Sequence, residues 1–313
     1  MKKLLLIASA LLMLVGCGGS KEEKPVENEN KKMVLITMDS LDEHWLSVKK
    51  GAEEKAAELG GIEIIFRAPT GKVDPNEQTR MVEDAITEQA DAILLAPSDG
   101  SALAPVVDRA VQSEIPVVII DSSVETEGYL TFLATDNYAA AGLAADKMAE
   151  LTGGKGKVAI IMAQPGAGTT IKRTTGFEDR IKEKYPEMSV ITIQYSNGDK
   201  SLALNQATDI MTANPDLVGF YAGNEGSTVG VARAIKEAGK VGEIKLVGFD
   251  KSADIIEGIE SGVIQASMVQ NPEMMGSKAV EAANNFIKDG TKGEDKIDTG
   301  VTVVTKENLD QVK

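Results

Sequence analysis

One pattern occurs twice in this chain of 313 residues and narrows the folds open to it. The first copy, ADAILLAPSDGSALAPVVDRAVQSEIPVVIIDSS, occupies residues 90–123. The second, PDLVGFYAGNEGSTVGVARAIKEAGKVGEIKLVGFDKS, occupies residues 215–252. Each opens on an acidic residue, Asp91 or Asp216, and runs through a short apolar strand to an alanine, Ala96 or Ala222. A polar tip follows, Ser98-Asp99-Gly100-Ser101 or Asn224-Glu225-Gly226-Ser227, and then a helical stretch carrying Arg109-Ala110 or Arg233-Ala234. A second apolar strand ends in an aspartate, Asp121 or Asp250. Strand, polar turn, helix, strand is the βαβ unit of a parallel sheet, in which ligands sit at the turns beyond the carboxyl ends of the strands. Two such units predict two similar lobes with two similar polar rims.

The rest of the chain keeps the alternation. MVLITM opens it as a strand and leads through DSLDEHW into a helix ending near Leu59, with Val48, Ala52, Ala56 and Leu59 as its apolar stripe. Ser40 and Glu43 have the spacing of a capping box. IEIIFRAP is the second strand, and Asp74 and Pro75 stand at N-cap and N1 of the helix after it. Beyond the first copy, TFLATDN leads into an alanine-rich helix, and GKVAIIMAQ starts a new sheet. A helix over residues 172–184, the strand SVITIQYS, a helix over 201–213 and the second copy follow. A helix over 252–261, the strand IQASMVQ, a helix over 274–288 and one strand within DTGVTVVTKENL complete the chain. The fold class is therefore α/β with parallel sheets, in two lobes divided near Thr135 and Asp136.

The first sixteen residues stand apart from the fold. Lys2 and Lys3 precede an apolar run too short for a membrane span, ending in Leu14-Val15-Gly16-Cys17. That ending resembles the lipobox of bacterial lipoproteins, which implies cleavage before Cys17 and lipid attachment to it. Residues 17–32, polar, charged and without an apolar face, read as a disordered tether between a membrane anchor and the body. Cys17 is the sole cysteine, so no disulfide forms within the chain. A net charge of −15 argues against nucleic acid, whose phosphates call for a basic face.

The stretches HWLSVKKGAEEKAAELG, DAILLAPSD, IPVVIID, ATDNYAAAG, RTTGF, NPDLVGFYAGNE, LVGFD and QNPEMMG resemble, in that order, the type I periplasmic binding proteins, and the ribose-binding branch among them. The resemblance spans about residues 33–304. It implies two Rossmann-like lobes joined by three hinge strands: an N-terminal lobe of residues 33–135 and 271–299, and a C-terminal lobe of 136–270 and 300–313. It also implies closure on a sugar or polyol, delivery to an ABC permease with a cytoplasmic ATPase, an extracytoplasmic monomer and no catalysis. Its pocket positions fall on Asp42, His44 and Trp45 after the first strand, with Trp45 as the stacking aromatic. Asp121, Arg173, Asn224, Asp250 and Gln270 complete them. These residue types suit the chemistry: carboxylates accept from hydroxyls, arginine donates, amides do both, and an aromatic ring covers the C–H face of a sugar. Two departures stand out. Ser122 replaces an arginine of the ribose binders, and Gly198 sits about where an aromatic would close the far wall.

Other chemistries lack their parts. There is no phosphate loop, no G-x-S-x-G, and a lone histidine with the lone cysteine makes no zinc site. A carboxylate pair acting as a hydrolase is the best enzymatic rival, through Asp42, Asp121 and Asp250. A DNA-binding repressor with this body would carry a helix-turn-helix where the leader stands. A sensory receptor for a sugar-like signal such as autoinducer-2, docking a membrane sensor, is the alternative to transport. No cofactor is expected.

Overall fold

The structure is a computed structural model that describes residues 30–70 and 73–312. The expected leader, Cys17 and the tether up to residue 29 lie outside the described residues. Among the described residues no helix is long and apolar enough to cross a membrane.

The first half of the chain runs β1 (Lys31–Ile36), α1 (Glu43–Leu59), β2 (Ile62–Arg67), α2 (Pro75–Thr87), β3 (Ala92–Leu95), α3 (Gly100–Gln112), β4 (Val117–Ile120) and β5 (Phe132–Ala134). It continues with α4 (Asn137–Thr152), β6 (Lys155–Met162), α5 (Gly168–Lys184), β7 (Glu187–Tyr195) and α6 (Lys200–Ala213). Then come β8 (Leu217–Ala222), α7 (Glu225–Glu237), β9 (Lys245–Phe249), α8 (Ala253–Glu260), β10 (Ala266–Gln270), α9 (Pro272–Asp289), β11 (Lys296–Asp298) and β12 (Val301–Val304).

These strands form two six-stranded sheets, ordered β11-β5-β4-β3-β1-β2 and β12-β10-β9-β8-β6-β7. Every pair is parallel except β10 with β12. The two orders superpose strand for strand, with β3 on β8 and β4 on β9, so the repeated segment holds the same place in both lobes. The likeness reaches single backbone angles. Asp121, just after β4, has φ 62°, and Asp250, just after β9, has φ 71°. Left-handed backbone is rare outside glycine, and aspartate is among the few residues that tolerate it.

Helices cover both faces of each sheet, so alternate strand residues enter different cores. Val34 and Ile36 of β1 belong to one cluster, and Met33 and Leu35 to the other. Each such fully buried aliphatic side chain contributes about 1.5–3 kcal/mol. The chain crosses between lobes three times: at residues 135–136, at Asn271, and at residues 299–300. As a result α4 packs on α5 of the second lobe and α9 on α1 of the first.

Several elements differ from expectation. β1 begins at Lys31, inside the stretch read as tether, because Lys31 pairs with Ile62 and its Nζ donates to Asn284. Leu59, the last residue of α1, is exposed and drops out of the apolar stripe. Ser40 and Glu43 form no capping box. Asp39 takes the backbone N–H groups of Leu41 and Asp42, and Glu43 reaches the N–H of Ala253 in the other lobe. α5 starts four residues before Lys172, at Gly168, a glycine placed for close approach. A Cβ on Gly168 would come within 2.3 Å of the Ser123 hydroxyl. The C-terminal segment holds two strands, β11 and β12, because Gly300, at φ 77°, carries the chain from one sheet to the other.

Candidate ligand-binding site

The strand ends and helix starts of both lobes face each other across a cleft. From the first lobe, the turn after β1 and the first turn of α1 bring Asp42, His44 and Trp45, and the turn after β4 brings Asp121. From the second, α5 brings Arg173, the turn after β8 brings Asn224, the turn after β9 brings Asp250, and the end of β10 brings Gln270. All eight line one cavity of about 40 Å³, together with Gly198. Neither the serine at 122 nor the glycine at 198 closes the wall; Ser122 turns its hydroxyl to the N–H of Thr169 across the cleft.

His44 stands at the centre. Its Nε2 lies 3.4 Å from Asp121 Oδ1 and its Nδ1 3.6 Å from Asp250 Oδ1, so one imidazole spans a carboxylate of each lobe. Burial pulls its pKa down, but the neighbouring Asp121 and Asp250 outweigh that and leave it raised. The Asp121 carboxyl is subject to the same exchange in reverse: burial raises it, and His44 with Arg173 leaves it lowered. Trp45 meets His44 edge to face, 4.6 Å between ring centroids, and donates its Nε1–H to Asp39. The indole is nearly all buried, part of the core behind β1 with one side on the cavity.

The second lobe supplies a rigid counter-wall. Arg173 is no surface ion-pair partner. Its guanidinium lies 3.7 Å over the Phe249 ring, with Nε donating to Asn137 and Nη1 to the carbonyl of Gly223. Its Nη2 is buried without a partner. Gln270 donates to Asp250 at 2.7 Å and keeps its buried Oε1 free. Asn224 caps α7 through Ser227, in extended rather than left-handed backbone. Buried donors and acceptors with open valences are costly unless something polar meets them. A guanidinium nitrogen and an amide oxygen of this kind on one wall, with an imidazole nitrogen facing them from the other, can accept and donate to the hydroxyls of a small polar molecule.

Sequence reasoning missed a second ring of groups. Glu225 of α7, almost fully buried, accepts from the N–H of His44 and from Lys200. Asp39 holds the first turn of α1 and the Trp45 indole. Glu225 lies within the repeated polar tip, and that position was the one signal pointing to it. Burial pushes Glu225 up to about 7, with Lys200 opposing and Asp250 adding to the rise.

Direct contacts between the lobes flank the cavity. The His44 N–H meets Glu225, the Ala253 N–H meets Glu43, and the Gly100 N–H donates to the carbonyl of Gly166 at 3.2 Å. A Cβ on Gly166 would come within 2.1 Å of an Asp99 carboxyl oxygen. The lobes therefore stand closed on one another, joined by three crossing segments that can act as a hinge.

Comparison with known proteins gives a consistent picture. A model of the periplasmic binding protein domain matches residues 34–292. The ribose import binding protein of Bacillus subtilis (strain 168) is 32% identical over 287 residues, covering 90% of this chain and 92% of the relative. An ABC transporter solute-binding protein from Agrobacterium vitis, solved with bound D-fucose, is 40% identical with a TM-score of 0.87, covering 90% of this chain and 97% of that one. A carbohydrate transporter solute-binding protein from Agrobacterium radiobacter, solved with D-arabinose, is 34% identical with a TM-score of 0.86, covering 90% and 96%.

Proposed function

Because the chain belongs to the periplasmic binding protein family, we propose that it is the extracytoplasmic solute-binding component of an ABC importer. It closes on one sugar or polyol and presents the closed form to a membrane permease. The observation that carries this reading is the convergence of His44, Asp121 and Asp250, with Arg173 and Gln270, on one cavity between two lobes. Hydroxyl recognition calls for that mixture of carboxylates, guanidinium and amide, and a hinge that shuts water out. The names of the relatives, ribose, D-fucose and D-arabinose binders, support the ligand class. Cys17 anchors the protein in this reading, the tether letting the body work at the membrane surface. A Cys17→Ala chain then leaves the membrane fraction or stays unprocessed; processed and membrane-bound Cys17→Ala protein would show another anchor.

The ligand is found by thermal shift over neutral pentoses, hexoses and polyols, including D-ribose, D-fucose and D-arabinose, since a ligand that binds only the folded form raises its midpoint by mass action. Trp45, the sole tryptophan, then reports closure. Its emission changes and saturates with the ligand. Saturable binding by calorimetry with silent Trp45 emission removes the indole from the site, and no midpoint shift with any carbohydrate sinks the reading itself.

A further inference from the structure

Each carboxyl group at the cleft but one faces a donor or a cation within 3.5 Å. Asp39 takes two backbone N–H groups and the Trp45 indole; Asp250 takes Gln270 and the Glu225 N–H; Glu225 takes the His44 N–H and Lys200; Asp121 faces His44. The Asp42 carboxyl accepts no hydrogen bond among the described residues, although Asp42 is only 7% exposed. Asp42 is the N-cap residue of α1, yet its side chain makes no capping bond, so its own helix does not account for it.

Asp42 also stands where two spaces meet. It lines the central cavity and an adjoining one of about 310 Å³, and the two share Asp39, Asp42, Val73 and Gly198. Gly198 has no side chain to divide them, and its φ of 75° disfavours one. The second space lies beyond what the ring of a ligand on His44 and Arg173 would fill. It is open to a substituent.

The chemistry of that substituent follows from charge. Around Asp42 stand Asp39, Glu225 and Asp250, and the cation acting on it, Lys200, is already engaged by Glu225. A ligand hydroxyl satisfies the hydrogen bond of a buried carboxylate but leaves its charge uncompensated; an ammonium satisfies both. We propose that the ligand of this cleft is an aminated sugar or amino-polyol whose ammonium rests on Asp42 at the mouth of the second space. The proposal rests on the carbohydrate reading above and narrows it. The proton affinity of the group agrees with the geometry: burial first, then the charges of Asp39, Glu225 and Asp250, push Asp42 up to about 8. Its surroundings thus disfavour the ionised form, and a ligand ammonium brought against it would restore that form.

The test is calorimetry with the body of the protein on matched sets: D-glucose, D-galactose and D-mannose, their 2-amino forms, the N-acetyl derivatives of those amines, and the pair sorbitol and glucamine. We expect an amine to bind at least ~10-fold tighter than both its neutral parent and its N-acetyl derivative, the latter controlling for size without charge. In Asp42→Asn that ratio falls to about one, by loss of amine affinity. Neutral parents that bind as well as every amine overturn the proposal and leave the carbohydrate reading standing. An amine preference that survives in Asp42→Asn overturns the role of Asp42. If no compound in the sets or the neutral screen binds, the carbohydrate reading itself fails, and this proposal with it.

Discussion

At the residue scale, the two aspartates that end equivalent strands carry the most specific expectation. Asp121 and Asp250 face the same imidazole from opposite lobes, and both occupy left-handed backbone. Removing either takes a charged acceptor out of a closed cleft, which costs about 2–4 kcal/mol for groups of this kind. Asp121→Asn and Asp250→Asn, which keep a side chain that tolerates left-handed backbone, should each weaken ligand binding at least ~30-fold in calorimetry while the protein still folds cooperatively. Affinity retained in both variants would falsify their place in the site. These residues were legible in the sequence because each sits at a strand end, after an apolar run that fixes its position. Asp39, Glu225 and Lys200 were not: Asp39 is defined by the turn it holds together and by the Trp45 indole, Lys200 by the Glu225 carboxyl, and Glu225 by the His44 N–H facing it across the cleft, and no periodic pattern records such pairings. Asp42 and Trp45 show the limit from the other side. Their positions were readable, but that one lacks a donor and the other is half core was visible only in three dimensions.

Among the elements, two kinds of glycine contact lead to opposite outcomes. Gly276 of α9 lies against α1, and a Cβ there would come within 2.0 Å of the Val48 carbonyl oxygen. That contact is inside one lobe, so Gly276→Ala should lower the thermal midpoint, by the roughly 1–3 kcal/mol typical of overpacking. Gly166 instead meets Asp99 of the opposite lobe. Its added methyl group collides in the closed form alone, so Gly166→Ala should leave the midpoint of the ligand-free protein near the parent's while weakening binding by about tenfold. If Gly166→Ala unfolds early and Gly276→Ala does not, the division between lobe packing and lobe closure is misplaced. Most strands and helices could be read from period and caps; Asp74 caps α2 as its spacing predicts. The first turn of α5 could not, because glycine signals a break in one context and a close approach in another, and only the neighbouring lobe distinguishes them.

For the whole molecule, closure and proton uptake are coupled. In the closed form Asp42 is raised to about 8 and Glu225 to about 7, both chiefly by burial, and His44 is raised by its two carboxylates against the effect of burial. Opening the cleft returns these groups to water and toward ordinary values. The carboxyls therefore favour closure below about pH 4, and that preference is lost as pH rises toward their closed-form values. The contribution of His44 is present below about pH 6.5 and is lost through its raised value, in the same direction. Asp121, lowered by His44, works in the opposite sense, but its contribution is complete above its ordinary value and does not change over this range. Each fully titrating group shifts the balance by about 1.4 kcal/mol per pH unit. Ligand-free protein should accordingly show a larger radius of gyration by X-ray scattering at about pH 8.5 than at about pH 5.5, with the difference reduced in Asp42→Asn. A radius indifferent to pH would mean that the lobes do not exchange these groups with solvent. The three crossings that make such a hinge also govern how the molecule is assembled. The last strand of the first sheet, β11, comes from residues 296–298, and α9, whose Met275, Ala279 and Val280 cover the core on α1, comes shortly before it. Neither lobe is a continuous piece of chain. The first lobe to be synthesised is among the last parts to be finished, with one flank of its core uncovered until nearly the whole polypeptide exists. Its folding waits on contacts more than two hundred residues apart, a long-range closure of the kind that slows folding.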